Sequence, residues 1–159
     1  MKKLKLYVET SVWGFLFADD APEKKAATEL FFKEIESERY EIFISETVRA
    51  EFRDAADAKR HALHKLVEKY NPILLETDEE VRSLAEAYVQ NGVLTRIHFR
   101  DLLHLAHASV NGMKALISWN QKHLVKMRTY DLVNATNRIQ GYYEIQIHTP
   151  QEVINIEED

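Results

Sequence analysis

The chain has 159 residues and a formal net charge of −5, with 45% hydrophobic and 30% charged residues. These values are typical of a folded protein, and we expect one domain over residues 1–159. The absence of cysteine excludes disulfide scaffolds, thiolate zinc sites and cysteine nucleophiles. The acidic balance disfavours non-specific coating of nucleic acid, and the four glycines form no phosphate-binding loop.

The amino-terminal segment does not have the pattern of a signal peptide. Lys5 and Glu9 interrupt it before an apolar run of the required length develops. No segment approaches the roughly 18 continuous apolar residues that a membrane span needs. We therefore expect a cytoplasmic protein without membrane association.

The first half of the chain alternates short strands with amphipathic helices. Residues 5–8 form the first predicted strand, and a helical pattern starts at Thr10 and Ser11. Residues 23–38 have helical spacing of apolar positions, and residues 40–44 form the second strand. Ser45 is the predicted N-cap of the next helix, with Glu46 in its first turn.

The second half continues the alternation. A helix over residues 59–70 is predicted to end at Asn71 and Pro72, before a strand over residues 73–75. Thr77 is the predicted N-cap of a helix to about residue 90, with Glu80 completing a capping box. A largely apolar helix is predicted over residues 98–110, then a strand over 115–118, a helix over about 130–139 and a strand over 143–147.

This alternation predicts an α/β fold, a three-layer α/β/α sandwich around a mostly parallel sheet of four or five strands. Short strands joined by helices pair in parallel through right-handed crossovers. Ligands bind such open sheets at the carboxyl ends of the strands, where the strand order reverses. The polar residues that follow each strand are therefore the candidate site.

Those positions hold three carboxylates and one amide: Glu9, Glu51, Asp101 and Asn120. Glu51 and Asp101 lie between apolar positions of their helices, which predicts that they face inward. Buried like charges need a counterion, and a hard cation such as Mg²⁺ or Mn²⁺ takes carboxylate oxygens as ligands. The three acids carry a charge of −3, so only the metal-loaded site would accept a phosphodiester, and metal-assisted hydrolysis is the predicted chemistry.

Five segments, taken in order, resemble the PIN-domain ribonucleases, the fold of the VapC-type toxins of toxin–antitoxin pairs. The segments are residues 6–12 (LYVETSV), 44–51 (ISETVRAE), 101–106 (DLLHLA), 116–124 (LISWNQKHL) and the closing 141–153. The resemblance covers almost the whole chain. It implies a parallel α/β/α sandwich and an acidic metal site that cleaves RNA.

The resemblance also assigns residues. It places Glu9, Glu51 and Asp101 at metal-ligand positions with Mg²⁺ or Mn²⁺ as cofactor, and Asn120 at or beside the last acid as an auxiliary ligand or water orienter. Thr10, Ser11, Arg100 and Lys122 are the candidate RNA-binding residues. The chain departs from the family pattern at Glu9, which replaces the usual Asp, and at Asn120, which is an amide.

Partners follow from the same resemblance. A small antitoxin protein is expected to inhibit a toxin of this type by filling an apolar groove and placing a charged side chain in the site. The aromatic and apolar residues after the first motif predict a homodimer or antitoxin contact. They are Trp13, Phe15, Leu16 and Phe17.

Several alternatives remain open at this point. The fold could have lost catalysis and serve as a binding or regulatory module, because the fourth acid is missing. A second alternative is a phosphotransfer receiver or aspartyl-phosphate hydrolase on a similar α/β fold. Such a protein needs an acidic pair or an Asp two residues beyond the first acid, and Ser11 occupies that position here. His104 is predicted to be a core or supporting histidine, Trp119 either stacks on a base or is buried, and Glu51 could instead pair with a neighbouring cation on the surface.

Overall fold

The computed structural model describes residues 2–156 of the chain. Its five strands are β1 (Leu4–Val8), β2 (Tyr40–Ser45), β3 (Ile73–Leu75), β4 (Ala115–Ile117) and β5 (Gln146–His148). Its α-helices are α1 (Thr10–Phe15), α2 (Pro22–Ile35), α3 (Glu46–Arg53), α4 (Asp57–Tyr70), α5 (Glu79–Gln90), α6 (Phe99–Val110), α7 (Met127–Gln140) and α8 (Pro150–Ile156). A 3₁₀ turn over Arg96–His98 leads into α6.

All five strands are parallel, in the order β3-β2-β1-β4-β5. Tyr7 of β1 lies between Phe43 of β2 and Leu116 of β4. The chain moves outward from β1 through β2 to β3, then returns to the other side of β1 for β4 and β5. The strand order therefore reverses between β1 and β4, and the predicted three-layer sandwich is confirmed.

The central strands are buried on both faces. Leu6, Tyr7 and Val8 of β1 and all three residues of β4 are buried, as expected for parallel strands covered by helices. The edge strand β3 is more open, with Ile73 45% exposed. Helix α2 packs against α8, while α5 packs against α6 and α7.

The predicted starts and ends of most elements are confirmed within a few residues. Ser45 caps α3 by accepting hydrogen bonds from the backbone N–H groups of Thr47 and Val48. Helix α4 ends at Asn71, which takes the left-handed conformation (φ 48°) before Pro72. Helix α8 was not among the elements predicted from the sequence.

The predicted capping box at Thr77 and Glu80 is wrong. The N-cap of α5 is Asp78, whose carboxylate accepts a hydrogen bond from the N–H of Val81. Thr77 instead makes tertiary contacts, because its N–H donates to the Glu46 carboxylate and its hydroxyl hydrogen-bonds to a buried histidine of α6. Its hydroxyl is therefore not available to cap the helix.

The last strand starts three residues later than predicted, at Gln146. Asn134 of α7 explains the shift, because its side-chain amide donates to the Ile145 carbonyl and accepts from the Ile145 N–H. Asn137 of the same helix donates to the Tyr143 carbonyl. The segment before Gln146 is thus bonded to α7, and residues from Gln146 onward pair with β4.

Two tryptophans are structural. Trp13 is fully buried, packs against Phe32 and donates its indole N–H to the Val8 carbonyl. It was predicted to take part in a partner contact, but its side chain is not at the surface. Trp119 is 8% exposed and donates to the Thr28 hydroxyl, which favours the buried alternative over base stacking. Of the predicted apolar contact residues, Phe15 and Leu16 are half-buried and Phe17 is exposed.

Candidate metal centre

The candidate site lies at the carboxyl edge of the sheet, where the strand order reverses. Glu9 follows β1 directly, and Ser118 follows β4, which is the neighbour of β1 on the other side of the reversal. Glu51 comes from α3, after β2, and Asp101 from the first turn of α6. Four separate segments therefore supply the polar groups of this edge.

Glu9 is a buried carboxylate held by two serines. It is 5% exposed, and its Oε1 accepts hydrogen bonds from the hydroxyls of Ser11 (2.5 Å) and Ser118 (2.6 Å). Each hydroxyl in turn accepts a backbone N–H, from Trp119 and Asn120 respectively, which orients its proton toward Glu9. Glu9 stands at the N-cap position of α1 but makes no capping bond, so its role is not that of an ordinary helix cap.

Glu51 turns toward the same edge rather than pairing with a surface cation. Its Oε1 accepts from the Thr10 hydroxyl (2.8 Å) and faces the His104 Nε2 at 2.5 Å. Burial raises the pKa of Glu51, but the hydrogen bonds and charge of His104, the Thr10 hydroxyl and the Arg100 charge outweigh it. The net pKa is lowered, so Glu51 is a carboxylate at neutral pH.

His104 lies one turn beyond Asp101 on α6 and is fully buried. Its Nδ1 lies 2.6 Å from the Tyr7 hydroxyl, which lies 2.7 Å from the Ser45 hydroxyl. Because Glu51 is an acceptor only, Nε2 carries the proton between them. Burial lowers the pKa of His104, but the Glu51 bond and the charges of Glu9, Glu51 and Asp101 raise it by more.

Asp101 stands apart from the closest cluster of ligand atoms. Carboxylate and imidazole atoms of Glu9, Glu51 and His104 all lie within 4.8 Å of one another, whereas Asp101 groups with two other histidines. Its carboxylate nevertheless belongs to the same electrostatic site. Burial raises its pKa, the charges of Glu9 and Glu51 raise it further, and the charge of His104 acts in the opposite direction.

Asn120 has a local structural role. Its Oδ1 accepts the backbone N–H of His123 at 3.0 Å, and its own N–H donates to the Ser118 hydroxyl. The side chain therefore closes the turn after β4, as an Asx turn does. This contact occupies one lone pair of the oxygen that was predicted to help bind metal or water.

The predicted RNA-binding residues divide into two groups. The hydroxyls of Thr10 and Ser11 are donated to Glu51 and Glu9, so both residues act within the carboxylate site. Arg100 and Lys122 are exposed near it, and Arg100 donates to the Asp54 carboxylate at 2.7 Å.

The chemistry of these residues fits a divalent cation. Glu9 and Glu51 each use Oε1 for hydrogen bonds, and in the described part of the chain neither Oε2 accepts one. Carboxylate oxygens held by neighbouring donors are the ligands that Mg²⁺ and Mn²⁺ prefer. With His104 protonated, the three acids and the imidazolium carry a formal charge of −2, which one divalent cation neutralises.

Two further residues complete the site, and sequence reasoning missed one of them. His104 was predicted to be a core or supporting histidine, which agrees with its full burial and its contact with Glu51. Ser118 was treated as the end of a strand, and it holds Glu9. The available signal was their placement, since Ser118 follows β4 and His104 lies three residues after Asp101 on one helical face.

The chain is similar to known proteins both in sequence and in fold. The family model of the PIN domain matches residues 6–127. A crystal structure of VapBC2 from Rickettsia felis, bound to a DNA fragment from their promoter, superposes with a TM-score of 0.56. It is 10% identical, over 92% of this chain and 98% of that chain.

A tyrosyl-tRNA synthetase from Archaeoglobus fulgidus, complexed with L-tyrosine, superposes with a TM-score of 0.49 and 10% identity, over 94% of this chain and 55% of that chain. No curated protein matches the sequence. Within residues 2–156 no helix has both the length and the apolar character needed to cross a membrane.

Proposed function

Because the chain belongs to the PIN domain family, whose members are generally nucleases, we propose that it is a Mg²⁺- or Mn²⁺-dependent endoribonuclease. We further propose that it is the cytoplasmic toxin of a type II toxin–antitoxin pair. One observation supports the enzymatic proposal above all others. Glu9 and Glu51 come from distant segments, yet their carboxylate oxygens and a nitrogen of His104 lie within 4.8 Å of one another. Burial and the charges of these two acids raise the pKa of Asp101, which comes from a third segment.

In this proposal Glu9 and Glu51 hold the cation through their open carboxylate oxygens, and Asp101 completes the acidic site. A bound divalent cation supplies Lewis-acid stabilisation of the charge that develops on the phosphate during hydrolysis. Ser11 and Ser118 hold the Glu9 carboxylate, while Thr10 and His104 hold that of Glu51. These donors fix the orientation of both acids before substrate arrives.

The same edge offers cationic groups for RNA. Arg100 and Lys122 are exposed beside the acids, and Arg100 is held by Asp54. Cations at the rim fix the position of a phosphate backbone without reading its sequence. Because the formal net charge of the chain is −5, attraction of RNA would depend on such local cations rather than on the charge of the whole surface.

The test is metal-dependent cleavage of a single-stranded RNA by the purified protein. Cleavage should require Mg²⁺ or Mn²⁺ and should be lost, by about 100-fold or more, in Glu51→Gln and Asp101→Asn. The matched controls Glu68→Gln and Asp131→Asn remove exposed acids elsewhere and should cleave at the wild-type rate. Cleavage that persists in the site variants, or its absence from the wild type with both metals, would refute the enzymatic proposal.

One observation favours a second candidate, a PIN fold that binds without cleaving. The fourth acidic position is held by Asn120, and its side-chain oxygen accepts the His123 N–H. In that case the protein binds RNA or the cation, and Glu51→Gln changes binding with no hydrolysis in any variant. The cleavage assay above separates the two candidates directly.

The antitoxin proposal is supported by a largely apolar cavity that reaches Glu51. A cavity of about 270 Å³ is lined by Thr10, Glu51 and the apolar side chains of Phe15, Phe52 and Leu63, among others. A partner segment in this cavity would bring a charged side chain to Glu51. In a host cell whose growth the chain inhibits, co-expression with the product of an adjacent short reading frame should restore growth, and the same product should inhibit cleavage.

A homodimer is also proposed, and sedimentation of the protein at micromolar concentration tests it.

A further inference from the structure

Two histidines beside the acidic site converge on Asp101. His98 immediately precedes α6, Asp101 lies in the first turn of that helix, and His123 lies in the turn after β4. One ligand atom from each residue lies within 4.8 Å of the others. The two imidazole rings are 4.0 Å apart, centroid to centroid, and tilted by 34°.

The three side chains are available as ligands. In the structure as described for residues 2–156, neither imidazole makes a side-chain hydrogen bond, and both are half-buried. Two close imidazoles with no hydrogen-bond partner repel each other when protonated, and a shared cation removes that repulsion.

The donor set differs from that of the acidic site. Glu9 and Glu51 offer oxygens, whereas this cluster offers two imidazole nitrogens and one carboxylate. Imidazole donors suit borderline transition-metal ions, and three protein ligands with an open fourth position are typical of zinc. A hard cation such as Mg²⁺ has no preference for imidazole.

We propose that His98, Asp101 and His123 form a second metal site, selective for a borderline divalent ion of the zinc class. The site goes beyond the nuclease proposed above and does not depend on it, because its ligands need no RNA and no Glu51. Asp101 is the one residue that the two sites share.

The test is a Zn²⁺ titration of the full chain against a chromophoric chelator, without Mg²⁺ or RNA. Wild type should bind one tight equivalent of Zn²⁺. His98→Asn and His123→Asn should each bind it at least about tenfold more weakly, since each loses a ligand. Co²⁺ as a spectroscopic substitute should give a visible absorption band that both variants lose.

Two controls make the result specific. His61→Asn removes an exposed histidine of α4 and should leave Zn²⁺ affinity unchanged. Glu51→Gln reports on the acidic site, and because the charge of Glu51 acts on Asp101, it should weaken Zn²⁺ binding by less than His98→Asn or His123→Asn does. Equal affinity in wild type and His98→Asn, or a loss confined to Glu51→Gln, would overturn the proposal. Neither result bears on cleavage, so the two proposals fail separately.

Discussion

His104 and Glu51 form a buried pair, with Nε2 of the imidazole 2.5 Å from Oε1 of the carboxylate. The imidazole is fully buried, and the Tyr7 hydroxyl contacts its other nitrogen at 2.6 Å. A buried charge is tolerated when its partner and hydrogen bonds are all present. This pair therefore sets the protonation and direction of one of the proposed metal ligands from within the core.

Replacing His104 with Gln should weaken Mn²⁺ binding by roughly 10–100-fold, the usual effect of losing a group that orients a ligand. Without the hydrogen bond and charge of His104, which lower the pKa of Glu51, burial should raise that pKa. Mn²⁺ binding should then need a higher pH. Electron paramagnetic resonance of free Mn²⁺, measured at several pH values, checks both effects.

His148→Gln is the matched control for that change. His148 also faces a glutamate, with Nδ1 3.0 Å from Glu152, but this pair joins the end of β5 to α8, and neither side chain belongs to the two clusters of ligand atoms around the acids. Its loss should leave Mn²⁺ affinity unchanged. Wild-type Mn²⁺ affinity in His104→Gln at every pH would contradict a positioning role for this histidine.

Ser118→Ala should destabilise the metal-free protein by about 1–3 kcal/mol. Buried Glu9 would keep only the Ser11 hydroxyl, and the Asn120 N–H would lose its acceptor. Urea unfolding measures this loss, with the exposed Ser83→Ala as control. Saturating Mn²⁺ should recover part of the lost unfolding free energy, because a cation on Glu9 offsets the missing hydrogen-bond donor. An equal loss with and without Mn²⁺ would argue that Glu9 holds no metal.

The sequence predicted the location of the three acids better than their contacts, and their role as metal ligands remains a proposal. Glu9, Glu51 and Asp101 could be placed at one edge of the sheet because parallel strands direct the residues that follow them to that edge. The joining of His104 to Glu51 depends on how α3 and α6 pack, and no local pattern records that distance. The closer grouping of Asp101 with His123 has the same origin.

The fold shows the same division between local and tertiary information. The order of strands and helices follows from hydrophobic periodicity, and the Ser45 cap follows from its place before a helix. The capping box at Thr77 failed because Glu46 and a buried histidine compete for its polar groups. Tertiary hydrogen bonds of this kind override a local capping preference.

Asn134→Ala should destabilise the fold by about 2–4 kcal/mol, since it leaves both backbone polar groups of Ile145 without their partner. The side chain is 3% exposed, so water would not easily replace it. Thermal or urea unfolding checks the value, with the exposed Gln140→Ala on the same helix as control. A loss below about 0.5 kcal/mol would mean that Ile145 finds other partners.

Arg100→Ala should raise the KM for RNA by about threefold to tenfold and leave kcat nearly unchanged, since a rim cation contributes to binding rather than chemistry. The effect should shrink at high salt. Asp54→Asn, which releases Arg100 from its ion pair, should not raise KM. A fall in kcat with unchanged KM in Arg100→Ala would instead place this residue at the reacting phosphate.

His107 should make the fold sensitive to acid. Burial and the charge of His104 lower its pKa from 6.5 to about 4, against the opposing charges of Glu46 and Asp78. Its Nδ1 is buried without a hydrogen-bond partner among the described residues, so protonation is unfavourable in the folded state. The unfolded chain binds this proton more readily, so stability is present above pH 6.5 and decreases as the pH falls toward 4.

At pH 4 this histidine should cost about 3 kcal/mol of unfolding free energy relative to neutral pH. His107→Gln has no titrating group at the position, so its free energy of unfolding should fall by about that much less between pH 7 and pH 4. Urea unfolding of both proteins across this range measures the difference, and subtracting the two curves removes the contribution of the other acids. Parallel curves would show that the His107 pKa is the same in the folded and unfolded chains.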